Sequence, residues 1–370
     1  MKTSLMLAFV VTLILGSTSL CERPLKEVFA EHFRIGAALN SKQFSGRDKL
    51  GAGIATTNFN TISPENALKW ESVQPVEGKF NFSDADKYVA FGEVHKMFIV
   101  GHTLVWHNQT PKWVFEGPDG KLASKELLTR RLREHIFKVV GRYKGRIGSW
   151  DVVNEALNDD GTMRDSPWFR ILGKEYVSLA FKFAHEADPE ADLYYNDYSL
   201  EIFEKRRGTV ELIRWLMSEK APISGVGTQS HHKIDWPSAE DQERTLTDLG
   251  ALGLKIAVSE LDIDVLPNPS DHHGAEVTAE FKLEARLDPF KKGFPAEQQA
   301  MLAKRYSDIF RVFVKHHKLV DRVTFWSVTD ADSWLNNWPV RGRTNYPLLW
   351  DRSGKPKPAF QAVVDTAGGS

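Results

Sequence analysis

Trp150-Asp151-Val152-Val153-Asn154-Glu155 and Ser259-Glu260-Leu261-Asp262 are the stretches that decide the fold. Each follows or completes a short apolar, β-branched run, residues 147–153 in the first case and 256–258 in the second. A run of that kind reads as a parallel strand buried on both faces. Glutamate is seldom fully buried unless it is paired, so a glutamate where such a strand ends has a purpose other than packing. Similar runs recur at residues 33–38, 58–62, 98–104, 192–196, 225–229 and 323–327. Amphipathic, helix-like stretches lie between them, at 84–96, 124–143, 174–186, 203–218, 238–252 and 296–316, with a closing helix at 358–366. Strands alternating with helices imply a parallel sheet with right-handed crossovers. Eight strands in about 330 residues fit an α/β fold of the (β/α)8 TIM-barrel type, one domain over residues 20–370, better than an open sheet.

Strand after strand in this reading ends in polar or aromatic groups: Glu65-Asn66, His102, Asn154-Glu155, Asn196-Asp197, Gln229 with His231, Glu260 and Trp326. The loops after barrel strands build the active site. Each group alone has a plainer reading. Ser63 to Glu65 fits a helix start with Pro64 at its first position. Lys69 fits a solvated helix charge paired with Glu65. His231 fits a loop histidine satisfied by its neighbours, and the two glutamates fit an ion pair at the barrel mouth. Their recurrence at one end of successive strands favours a site. Two opposed carboxyl groups, one giving a proton and the other attacking or activating water, are what hydrolysis of a glycosidic bond requires. The chain also holds 11 tryptophans. Flat indoles suit the faces of pyranose rings and also bury well; Trp70, Trp150, Trp215 and Trp350 read as packing.

Of 370 residues, Lys and Arg number 48 and Asp and Glu 49, a formal net charge of −1. That balance argues against nucleic acid or an anionic membrane held by bulk charge and suits a neutral substrate. Lys2, the apolar residues 5–16 and Ser17-Thr18-Ser19 read as a signal peptide over 1–19, implying secretion to an extracellular or periplasmic space. The apolar stretch is too short to span a bilayer. A lipid-modified Cys21 would want a small residue where Leu20 stands. Cys21 is the only cysteine, so neither an intramolecular disulfide nor a thiolate metal cluster is available. His272-His273, in the long loop 265–295, lacks matched acidic partners for a metal. We expect no cofactor and no metal, no membrane contact after leader cleavage, and a monomer.

The stretches SPENALKW (63–70), GHTLVWH (101–107), WDVVNEA (150–156), YNDYS (195–199), GVGTQSHH (225–232), VSELD (258–262), TFWSVTDADSWL (324–335) and PLLWD (347–351) run in the order of a known family. The chain resembles the glycoside hydrolase family 10 xylanases. The resemblance implies a single catalytic domain, an endo-1,4-β-xylanase acting on xylan and xylo-oligosaccharides with retention. It implies Glu155 as general acid/base and Glu260 as nucleophile, with carboxyl groups about 5 to 5.5 Å apart. The proton affinity of Glu155 should then be raised and should follow the charge on Glu260. Asn154 is implied to bond the sugar 2-hydroxyl, and His231, beside Gln229 and backed by Asp262, to orient Glu260. Lys69, His102, Glu65, Asn66 and Gln109 are implied on the glycone side. Trp106, Trp326 and Trp334 are implied against sugar rings, and Tyr198 as an aglycone platform. Gln109 and Trp334 match positions that crowd the space a glucose hydroxymethyl group would take. The His102–Thr103 peptide is implied to be cis. Two departures are Ser327, where many relatives have glycine, and Ser259, where many have threonine. Three rivals stand beside this reading. A relative acting on other β-1,4 glycans is poorly separated by sequence. A sugar-binding barrel without catalysis is opposed by the presence of both glutamates, and a metal-dependent hydrolase by the shortage of His/Asp ligand clusters.

Overall fold

The structure is a computed structural model describing residues 23–269 and 281–368. The expected leader, Cys21 and the His272-His273 pair lie outside the described residues. Nine parallel strands are present among those residues: β1 (Arg34–Leu39), β2 (Thr61–Pro64), β3 (Phe98–Val105), β4 (Ser149–Asn154), β5 (Asp192–Asp197), β6 (Gly225–Thr228), β7 (His231–Lys233), β8 (Lys255–Asp264) and β9 (Val320–Phe325). Eight of them close into a ring. β1 to β6 pair in sequence, β6 skips to β8, β8 pairs with β9, and β9 returns to β1. This is the expected (β/α)8 barrel. The ninth, β7, stands outside the ring on the far part of β8.

The covering helices form where pattern and caps agree. In Lys125–Arg142 the buried Leu128, Leu132, Ile136, Val139 and Val140 recur every three to four residues and make one apolar face. The Ser124 hydroxyl caps its start by accepting the Leu127 N–H at 3.2 Å. Ala239–Gly250 begins on Ser238 in the same way, with Glu240 and Asp241 in the positive first turn. On the helix-facing side of the ring, Gly101 on β3 lies against the fully buried Trp150 indole on β4. A Cβ at that glycine would sit 2.1 Å from the ring.

Three local expectations change. Residues 49–58 form a helix, Lys49–Asn58, so β2 starts three residues late. That segment carries Gly51, Gly53, Thr56 and Thr57, all poor helix formers, and its helix depends on the Asp48 cap on the Gly51 N–H, 3.0 Å away. Ser63 and Pro64 belong to β2 and do not start a helix. Glu260 does not end its strand. β8 continues to Asp264, its register against β9 slips between Val258 and Leu261, and β7 becomes its partner beyond the slip. The slip breaks the strict side-to-side alternation there.

Candidate active site

Glu155 directly follows β4 in a left-handed backbone conformation, φ +57°. Regular alternation would send Asn154 and Glu155 to opposite faces. The turn at Glu155 brings both to the barrel mouth, and Asn154 Nδ2 donates to Glu155 Oε1 at 3.0 Å. Gln229, just past β6, donates to the same oxygen at 2.9 Å, and Trp106, just past β3, donates to Oε2 at 2.8 Å. Across the mouth, Glu260 Oε1 accepts from Asn196 Nδ2 on β5 at 2.8 Å. The same amide donates to Asn154 Oδ1 at 2.9 Å, and Ser259 fixes its orientation by donating to Asn196 Oδ1 at 2.6 Å. Asn196 and Asn154 therefore bridge the two glutamates.

The other oxygen of Glu260 faces His231 Nε2 at 3.2 Å. His231 Nδ1 lies 2.9 Å from Asp262 Oδ1, and the second Asp262 oxygen accepts from Trp334 Nε1 at 2.8 Å. His102 is held by Asp151 at 3.0 Å. Asp151 in turn neighbours the buried Arg322, 3.6 Å away on the barrel floor.

Both glutamates are buried, yet their electrostatic settings diverge. Burial raises the proton affinity of Glu155. The hydrogen bonds from Gln229 and Trp106 offset part of this, and the negative charge of Glu260 adds to it. Burial pushes Glu260 up as well, but the His231 hydrogen bond, the positive character of His102 and His231 and the Asn196 hydrogen bond win. Its carboxyl ends below the usual range. Burial disfavours charge on His231, but Asp262 first and Glu260 second outweigh it and push the imidazole up to about 10. At neutral pH His231 is therefore an imidazolium set against an ionised Glu260.

On one flank Lys69 is buried, not solvated as its helical reading would have it. Its ammonium donates to Asn66 at 3.0 Å and Gln109 at 2.7 Å and lies 4.9 Å above the Trp106 ring. Gln109 is pinned by Glu71, whose Oε1 accepts at 2.9 Å. Glu65, Asn66, Lys69, His102, Trp106, Gln109, Asn154, Glu155, Gln229, His231, Glu260, Trp326 and Trp334 line a single open cleft, together with Asn108. The His102–Thr103 peptide is cis. Tyr198 is placed elsewhere. It is buried, its hydroxyl accepts from Arg164 at 2.8 Å, and the Lys205 ammonium covers its ring at 3.2 Å, leaving no open face for a sugar. Sequence reasoning passed over Asn196 as a site member, although its place at a polar strand end was the available signal, and it passed over Asn108. Among the described residues, no group of three or more His, Cys, Asp or Glu could hold a metal ion, and no helix is long and apolar enough to cross a membrane.

Comparison with known proteins adds to this geometry. The family described as Glycosyl hydrolase family 10 matches residues 24–366. Endo-1,4-beta-xylanase A of Xylanibacter ruminicola is 43% identical over 340 residues, 92% of each chain. Beta-1,4-xylanase of Dictyoglomus thermophilum is 40% identical over 342 residues, covering 92% of this chain and 90% of its own. Among solved structures, a GH10 endoxylanase retrieved from sugarcane soil metagenome superposes with a TM-score of 0.89 at 45% identity, over 92% of this chain and 99% of that one. A mutant in complex with xylotriose gives 0.82 at 40% identity, over 92% and 99%.

Proposed function

The chain belongs to glycosyl hydrolase family 10, and from that membership we propose that it is an endo-1,4-β-xylanase that cleaves internal bonds of xylan with retention, using Glu260 as nucleophile and Glu155 as acid/base. The observation that carries the reading is the pair of buried carboxyls joined through Asn154 and Asn196 across one cleft, with their proton affinities pushed in opposite directions. In the first step Glu155 gives its proton to the glycosidic oxygen while Glu260 attacks the anomeric carbon. The aglycone leaves as an alcohol, and the sugar stays esterified to Glu260. Esterification removes the Glu260 charge, so one cause of the raised Glu155 proton affinity disappears. Glu155 is then a base. It takes a proton from water, whose oxygen attacks the anomeric carbon and frees Glu260. Asn154 and Asn196, tied to both carboxyls, keep the pair in register through the two steps. Lys69, Asn66 and Gln109 present a cross-linked polar wall suited to sugar hydroxyls on the glycone side. Residues 1–19 are proposed as a secretion leader. The support is the charged, apolar and small-residue succession alone, and N-terminal sequencing of secreted protein checks it.

The test is covalent. A 2-fluoro xylobioside inactivator is expected to add one glycosyl mass to the protein, and peptide mapping is expected to place it on Glu260. A label on Asp262, or inversion at the anomeric centre during turnover, overturns the assignment.

A further inference from the structure

We infer that Arg164 is a positioning residue for the acid/base, clamping the backbone turn at Glu155 so that the carboxyl points at the leaving-group oxygen. The inference rests on the reading of Glu155 given above. A left-handed conformation at a glutamate is unfavourable and persists only where its surroundings impose it. Here the peptide groups on both sides of Glu155 are held. Its N–H donates to Asn196 O at 2.9 Å, and the Ala156 N–H donates to the Tyr195 hydroxyl at 3.2 Å. The carbonyl of Glu155 accepts from Arg164 Nε at 3.2 Å. The same guanidinium donates to Leu157 O at 3.3 Å and to the Tyr198 hydroxyl at 2.8 Å. The Arg164 N–H closes the loop onto Ala156 O at 2.8 Å, and Leu157 and Met163 pair as an antiparallel bridge beneath it.

The planar fork of arginine suits this arrangement, because one rigid group serves two carbonyls and a hydroxyl. Its far anchor is firm. Tyr198 is buried beside β5 under Lys205, and Lys205 is paired with the buried Asp197 at 3.0 Å. The clamp thus transmits the rigidity of β5 to Glu155 and gives the buried Tyr198 a task other than sugar stacking. Arg164 also acts on the Glu155 proton. Burial pushes the Glu155 carboxyl up, Glu260 on β8 adds to this, and the Arg164 cation works against both. Other charged or titratable groups facing this region among the described residues are Lys69 beyond β2, Tyr176, Tyr195, Asp197 and Tyr198 on or beside β5, and Lys205.

The experiment compares kcat/KM across a series of aryl xylobiosides of decreasing leaving-group ability, for the parent, Arg164→Met, Arg164→Lys and Glu155→Ala. A displaced acid harms only substrates that need the proton. Arg164→Met is therefore expected to lose about tenfold or more on the poorest leaving group and to stay within about twofold on the best. Arg164→Lys, which keeps the charge but not the fork, is expected to lie between. With the cation gone, the alkaline limb of the Arg164→Met profile is expected to move to higher pH, since Glu155 holds its proton longer. Equal losses across the series, or no loss, overturn the inference. If Arg164→Met does not fold, Tyr198→Phe, which removes only the hydroxyl that anchors the guanidinium, must show the same leaving-group dependence in weaker form; its absence is equally fatal. Glu155→Ala separates the two levels. If it lacks the leaving-group dependence, the acid/base reading itself fails; if it shows it and the Arg164 variants do not, only the clamp fails.

Discussion

At the scale of single residues, the ionised state of Glu260 depends on one imidazole. Burial favours its protonated form, and the His231 hydrogen bond is the largest influence holding it down. His231 is itself kept charged chiefly by Asp262, which Trp334 orients at 2.8 Å. Replacing His231 with Gln keeps a donor but removes the cation. The Glu260 carboxyl then rises, so on acidification it is protonated at a higher pH than in the parent. The acid limb of kcat/KM is expected to shift upward, with a loss of about tenfold or more at pH 6 that shrinks as the pH is raised. A pH-rate profile checks this; a uniform loss with the limb unmoved would assign His231 a steric part only. This scale also shows what sequence can carry. Asn154, Glu155, Gln229, His231 and Glu260 were legible because each sits at or just beyond the run of a barrel strand. The bridging by Asn196 was not, because an asparagine at a strand end looks the same whether it faces a ligand or joins two neighbours. Tyr198 misled for a related reason. An aromatic in a motif suggests a platform, and nothing local reveals that Arg164 and Lys205 already occupy its hydroxyl and face.

At the scale of elements, the segment leaving β9 carries a conformational penalty. Ser327, next to the cleft residue Trp326, has φ +134°, a region open to glycine and costly for any residue with a Cβ. In the sequence Ser327 shows only as a departure from the glycine of many relatives, since size is visible there and backbone dihedrals are not. Ser327→Gly relieves the strain, loses the long 3.3 Å bond from the Ser327 hydroxyl to Asp332 O, and gives the unfolded chain more freedom. The first effect is the largest. A net gain of about 1 kcal/mol is expected, read as a higher urea midpoint at unchanged slope. An unchanged or lowered midpoint would mean that the hydroxyl contact outweighs the strain. Element boundaries failed where local preference and tertiary context disagree. The helix Lys49–Asn58 is glycine-rich and capped by a single aspartate, and β8 runs on past Glu260 because β7 offers a second partner. Strands and helices with strong periodicity, such as β3 and Lys125–Arg142, were placed within two residues.

At the scale of the whole molecule, the barrel was legible because alternating strand and helix leaves few topologies. The side-chain tie that fastens the closing helix was not, because its partners lie far apart in sequence. Lys357, at the start of the last helix, Pro358–Val364, is buried and donates to both oxygens of Asp330, at 2.9 and 3.1 Å, and to Tyr346 O at 2.8 Å. Asp330 follows β9 and is fully buried, and its Oδ1 also accepts the Leu348 N–H at 2.8 Å. The pair fastens the closing helix to the loop beyond the eighth strand of the ring. Burial pushes the Asp330 carboxyl up to about 6 even with the ammonium pulling it down. Lys357→Met keeps most of the apolar stem and removes the charge, so Asp330 rises further. Near neutral pH the variant must bury a carboxylate without its partner, and a loss of about 3 to 5 kcal/mol is expected. The sign of the pH dependence follows from the raised value. In the unfolded chain an aspartate titrates near about 4, well below its folded value here. Between the two the native state binds more protons, so the stability contributed by protonated Asp330 is full below pH 4 and is lost as the pH rises through the folded value. The deficit of Lys357→Met relative to the parent should therefore be largest at pH 8 and smaller at pH 5. Urea unfolding of both proteins at the two pH values measures it. An equal deficit at pH 5 and pH 8 would show that the lysine stem matters through packing alone and that the ion pair does not secure the closing helix.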